Sequence, residues 1–128
     1  MAGQPDVFYP IVPDIDWLQR IMPLKPRTIQ LRMKGVPKGC IRDAIARALI
    51  LTRSVGCQLI VNDYWREAML ERADYVHLGQ EDLASADIAA IKGAGLRLGI
   101  STHDEHELYV ALAAAPSYIA LGPILKPS

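Results

Sequence analysis

Polar side chains able to bind charge or take part in its transfer recur at the ends of four apolar runs in this sequence. Gln30, Arg32 and Lys34 alternate with Ile29, Leu31 and Met33 in TIQLRMKG. Asn62 and Asp63 follow CQLIV, Gln80 and Asp82 follow DYVHLG, and Ser101 and His103 follow LRLGI. Guanidinium and ammonium groups set side by side can clamp diphosphate oxygens. Two carboxylates on the same rim suit Mg²⁺, which takes one or two carboxylates and completes its shell with phosphate oxygens and water. The combination points to an anionic substrate handled together with a divalent metal.

Each residue also has a plainer reading. Arg32 and Lys34 could be a solvated strand face, and Asn62, Asp63 and Asp82 could cap or turn into the helices that follow. Ser101 could be a turn hydroxyl and His103 a solvated imidazole. Recurrence at four successive run ends is what favours a site. Trp17, Trp65 and Tyr109 fall within helical stretches and read as packing aromatics. His77 shares a strand face with Tyr75 and reads as a hydrogen-bonded interior residue, not a catalyst. Cys40 and Cys57 have neither metal-ligand spacing nor the numbers for a disulfide framework, so both read as free thiols.

The elements that must position these residues alternate regularly. Strands are expected over Val7–Pro13, Thr28–Lys34, Cys57–Asp63, DYVHLGQ, LRLGIS and YIALGPI. Helices are expected over Asp16–Met22, Pro37–Val55, WREAMLER, ADIAAIKGAG and EHELYVALAAA. In the second helix Ile41, Ile45, Ala48, Thr52 and Val55 recur at intervals of three and four, with Pro37 in its first turn and Gly56 past its end. Strands alternating with helices at this spacing predict βαβ units and a parallel sheet. Residues following the strands then share one rim, where sites on such folds gather. A dinucleotide-binding sheet would carry G-x-G-x-x-G after its first strand, and none is present. Polar residues on the inward face of the second strand favour a (β/α)-barrel of the TIM type.

Composition narrows the class. The 128 residues are 51% hydrophobic and 22% charged, which fits one globular domain. Fourteen basic and fourteen acidic residues cancel, so no broad basic field for nucleic acid is expected. No apolar run approaches the ~20 residues of a membrane span, and the first residues lack a signal pattern, so a cytoplasmic protein with no membrane partner is expected. Six strands and five helices fall short of the eight of each that close a barrel. The expectation is a single barrel domain lacking its C-terminal units, either a piece of a longer chain or a form that completes its open, apolar edge by pairing with another copy.

Taken in order, IQLRMK, LIVNDYWREA, ADYVHLGQEDL, LGISTHDEHE and YIALGPI resemble the thiamine-phosphate synthase family over about Phe8–Ile124. VHLGQEDL and NDYWREA carry most of the specificity. The resemblance implies a TIM barrel that joins hydroxymethylpyrimidine diphosphate to thiazole phosphate and releases pyrophosphate. It further implies that Gln30, Arg32, Lys34 and Asn62 contact the pyrimidine diphosphate and that Ser101 hydrogen-bonds the diphosphate. Arg32, Lys34 and Ser101 would then be the catalytic set, and Asp63 with Asp82 would hold Mg²⁺. The chain departs from the family after GP, where a Thr-x-Thr-Lys stretch is usual and GPILKPS stands instead. Lys126 is out of register for that lysine, which leaves thiazole phosphate binding without its usual residues. Two other readings stay open: a thiazole tautomerase-like relative, which the pair of acids opposes, and an inactive barrel fragment acting as a binding or regulatory module.

Overall fold

The structure is a computed structural model, and it describes residues 9–79, 85–102 and 118–121. Its strands form one parallel sheet in chain order: β1 (Ile11–Val12), β2 (Thr28–Leu31), β3 (Gln58–Asn62), β4 (Tyr75–Leu78), β5 (Arg97–Thr102) and β6 (Tyr118–Leu121). The α-helices among the described residues are α1 (Ile15–Ile21), α2 (Ile41–Arg53), α3 (Trp65–Leu70) and α4 (Ile88–Gly93). The parallel α/β organisation is therefore as the sequence predicts. Four of the five expected helices lie among the described residues; the stretch expected to form the fifth lies outside them. No helix among the described residues is long and apolar enough to cross a membrane.

Local signals set the boundaries. Asp14 caps α1 by accepting the Trp17 N–H at 2.9 Å, and Asp87 caps α4 by accepting that of Ala90 at 3.0 Å. The turn following Pro37 is a short 3₁₀ helix, Lys38–Cys40, before α2 proper. Gly56 at φ 70° ends α2 in the left-handed region, and the Cys57 N–H returns to the Thr52 carbonyl at 2.9 Å. Thr52 interrupts the apolar stripe of α2 but is fully buried, because its hydroxyl donates to the Ala48 carbonyl at 2.8 Å.

Alternation along the strands sorts side chains into two layers. Ile29 and Leu31 of β2, Leu59 and Val61 of β3, and Val76 and Leu78 of β4 join the core formed with Leu18, Ile45, Ala48, Ala68 and Ile91 of the helices. The intervening residues, Thr28, Gln30, Ile60, Asn62, Tyr75 and His77, are also buried but lie outside that helix-facing cluster. Both faces of the sheet are thus shielded from water, one by apolar packing and the other with polar groups among its buried side chains.

One expected boundary is corrected. β2 stops at Leu31, where its register with β3 ends in the pair Leu31–Val61. Asp63 takes φ 70° and turns the chain away, and Asn62 instead pairs with His77 of β4. Among the described residues, the β2–β3 ladder does not continue into residues 32–34. Arg32 and Lys34 therefore project from the segment beyond the strand, not from a strand face.

Candidate functional site

A cavity of about 420 Å³ opens beyond the carboxyl ends of β2 to β5, walled by Tyr9, Gln30, Arg32, Lys34, Asn62, Asp63, His77 and Ser101 among others. Six residues singled out from the sequence thus reach one cavity from three strands and the segments following them. Asp82 and Gln80 lie outside the described residues, as do His103 and Lys126. Tyr9 and Ile11 also reach the cavity and were not singled out. Their place in the first β-like run was the available signal, obscured by Pro10 and Pro13.

Buried amides line the floor. Gln30 is 3% exposed and Asn62 8%, so each amide needs partners to offset its lost hydration. Gln30 donates from Nε2 to the Tyr9 hydroxyl at 3.1 Å, and Asn62 donates from Nδ2 to Gln30 Oε1 at 3.0 Å. In that orientation the Asn62 carbonyl oxygen faces the Asp63 carboxylate, acceptor against acceptor. Turning the Asn62 amide over places its NH₂ 3.1 and 3.2 Å from the two carboxylate oxygens. With Gln30 turned as well, each amide nitrogen faces an acceptor oxygen. The result is a chain from the Tyr9 hydroxyl through both amides to a negative charge.

Charges occupy the rim. Lys34 Nζ lies 2.6 Å from Asp63 Oδ2, a pair whose side chains are 58% and 22% exposed. The Arg32 guanidinium makes no hydrogen bond or ion pair among the described residues. Asp63 is held at φ 70°, a conformation that an Asp adopts more readily than most residues, and its N–H donates to the His77 carbonyl at 2.9 Å. The turn into α3 follows at once, with the Tyr64 N–H on the Asn62 carbonyl and the Trp65 N–H on that of Asp63.

His77 stands opposite, 4% exposed, with Nε2 2.5 Å from the Ser101 hydroxyl. Burial pushes its pKa down to about 4, with the Asp63 charge pulling weakly the other way. The imidazole is therefore neutral at neutral pH and orients the Ser101 hydroxyl without adding charge. Two cations against one carboxylate leave the described rim with a positive surplus, suited to an anion. Cys57 belongs to the core, its thiol pushed up to about 11 by burial, and Cys40 is exposed and free.

A second hollow, about 350 Å³, lies behind Asp63 and is lined by Lys38, Ile41, Tyr64, Trp65, Arg66 and Glu67. Asp63 borders both cavities; Tyr64 borders only the second.

Comparison with known proteins agrees with this geometry. The family model described as thiamine monophosphate synthase matches residues 8–128. The chain is 55% identical over 119 residues to the thiamine-phosphate synthase of Rhizobium etli, covering 93% of this chain and 58% of that protein. With the thiamine-phosphate synthase of Salmonella typhimurium identity is 50% over 116 residues, covering 91% and 55%. The solved structure of a thiamine phosphate pyrophosphorylase from Pyrococcus furiosus superposes with a TM-score of 0.76 at 25% identity, covering 91% of this chain and 60% of that one. The chain thus spans less than two thirds of the length of each relative, and nearly all of it matches. It belongs to the thiamine monophosphate synthase family.

Proposed function

We propose that the protein performs thiamine-phosphate synthase chemistry, joining hydroxymethylpyrimidine diphosphate to thiazole phosphate with release of pyrophosphate, on a TIM-barrel-type scaffold. The observation that carries the reading is the convergence of Gln30, Arg32, Lys34, Asn62, Asp63 and Ser101 on one cavity beyond the strand ends. The family membership and the chain-order parallel sheet support it.

In this reading Arg32 and Lys34 grip the diphosphate, with the Ser101 hydroxyl and the Asn62 amide completing its hydrogen bonds. As the bond from the pyrimidine methylene to the diphosphate oxygen breaks, negative charge grows on the departing group. Preorganised cations beside that charge stabilise it more than they stabilise the intact substrate, which is what accelerates the step. The thiazole nitrogen then attacks the pyrimidinyl-methyl cation. Buried Gln30 and Asn62 keep the floor of the cavity ordered and largely free of bulk water. In the tautomer with the proton on Nε2, neutral His77 would donate to the Ser101 oxygen and leave the Ser101 hydroxyl hydrogen for the diphosphate.

The donor chemistry suits magnesium. Asp63 offers a hard carboxylate oxygen to the cavity, beside cations that would hold phosphate oxygens. Asp63 and Asp82 would hold Mg²⁺, which when bound supplies Lewis-acid neutralisation of charge on the leaving group.

The test is a pyrophosphate-release assay with both substrates, with and without Mg²⁺. Equal yields of pyrophosphate and thiamine phosphate, dependent on the metal, are expected. Asp82→Ala should abolish the metal dependence while leaving the circular dichroism unchanged. No release from the unaltered chain with both substrates present would remove the assignment for this chain.

A further inference from the structure

We propose that Tyr64 is a positioning residue for the anion site: its phenol fixes the segment that carries Arg32 and Lys34. The inference rests on the diphosphate reading above and assigns a role to a side chain that does not itself reach the cavity.

The Tyr64 hydroxyl donates to the Met33 carbonyl at 3.0 Å, across 31 residues of sequence. Met33 stands between the two cations, in the segment where the β2–β3 ladder has already ended. On the β1 side that segment is held by the Arg32 N–H on the Val12 carbonyl at 2.8 Å, and from below by the buried Met33 side chain. On the β3 side, among the described residues, side-chain bonds alone tie it across: the Lys34–Asp63 ion pair and the Tyr64 phenol. A diphosphate entering the cavity competes for Lys34, so that ion pair is expendable on binding. The phenol bond is not, because Tyr64 faces the second hollow behind Asp63.

Tyr64 is in turn rigidly placed. Its N–H donates to the Asn62 carbonyl at 2.9 Å, its carbonyl accepts from the Ala68 N–H at 2.9 Å, and its ring packs against the core. One residue thus couples the turn bearing Asn62 and Asp63 to the segment bearing both cations. Pre-setting that spacing lowers the ordering cost of gripping an anion.

The test measures binding of inorganic pyrophosphate with Mg²⁺ by titration calorimetry, which needs no turnover. Tyr64→Phe keeps the ring and its packing and removes only the hydroxyl. It should weaken pyrophosphate binding about fivefold by loosening the pre-set spacing, with a modest fall in melting temperature from the lost hydrogen bond itself. The same change made in a Lys34→Met background should cost twofold or less, because the hydroxyl acts through the cations. Amide exchange at residues 34–36 should quicken in Tyr64→Phe, a readout that stands even where affinity is hard to measure. Unchanged affinity in Tyr64→Phe, unchanged exchange, or an undiminished fivefold loss in the Lys34→Met background would each overturn the inference while leaving the synthase reading intact. An unaltered chain that binds no pyrophosphate would overturn both.

Discussion

The two faces of β2 to β4 present opposite solutions to burial. Toward the helices, Ile29, Leu31, Leu59, Val61, Val76 and Leu78 are buried by shape and apolar area alone. One residue away along the same strands, Gln30, Asn62 and His77 are also buried, and each is held by named hydrogen bonds. Apolar burial of a Leu or Ile side chain contributes about 1.5–3 kcal/mol. A buried amide at best recovers its lost hydration. The polar positions of the inner face thus gain less stability from burial than the apolar positions of the outer face, as suits a layer that meets a ligand.

The comparison is broken or sharpened first by neighbouring truncations in β2. Leu31→Ala removes a fully buried side chain from the helix-facing layer and should cost about 3–4 kcal/mol in urea unfolding. Gln30→Ala, one residue before it, should cost less, about 1–2 kcal/mol for the partners left unpaired, while reducing pyrophosphate affinity. Equal losses of stability with unchanged binding would show that the two faces do not differ in kind.

That asymmetry also explains what was legible in the sequence. The period-two and period-3.6 patterns are written by the apolar layer, so the parallel α/β order and most element positions can be read directly. Residues 32–34 continue the alternation of β2, and so they read as strand. What ends the strand is the turn at Asp63, thirty residues away, which local alternation cannot register. His77 could be read as hydrogen-bonded, but its partner Ser101 lies on a different strand and is invisible to spacing. Tyr9 and Tyr64 were missed as contributors for a related reason. Each acts through its hydroxyl on a distant segment, Tyr9 on Gln30 and Tyr64 on the Met33 carbonyl, and an aromatic near the end of a run carries no such address.

The inner layer should also respond to pH where the outer cannot. The His77 pKa is depressed to about 4 in the folded chain and lies near 6.5 when unfolded. Between those values the unfolded chain binds more protons. Its contribution is therefore complete above about pH 6.5 and lost as pH falls toward 4. From pH 6.5 to pH 4.5 the loss from this group should reach roughly 2 kcal/mol. His77→Asn, compared with the unaltered chain in urea at both pH values, should flatten that difference. Identical pH slopes would mean that the imidazole is not desolvated as its burial implies.

The smallest expected effect concerns the rim, and it separates ligand-directed charge from structural charge. The Lys34–Asp63 pair is short, but Lys34 is more than half exposed, and exposed pairs are worth about 0–1 kcal/mol after screening. Lys34→Met should therefore shift stability by no more than about 0.5 kcal/mol. The same substitution removes one of the two cations facing the cavity, so pyrophosphate binding should weaken while folding barely changes. A stability loss comparable to that of Leu31→Ala would place Lys34 among the groups that hold the fold. The rim charges would then be part of the scaffold, and the case for an anion site would rest on Arg32 alone.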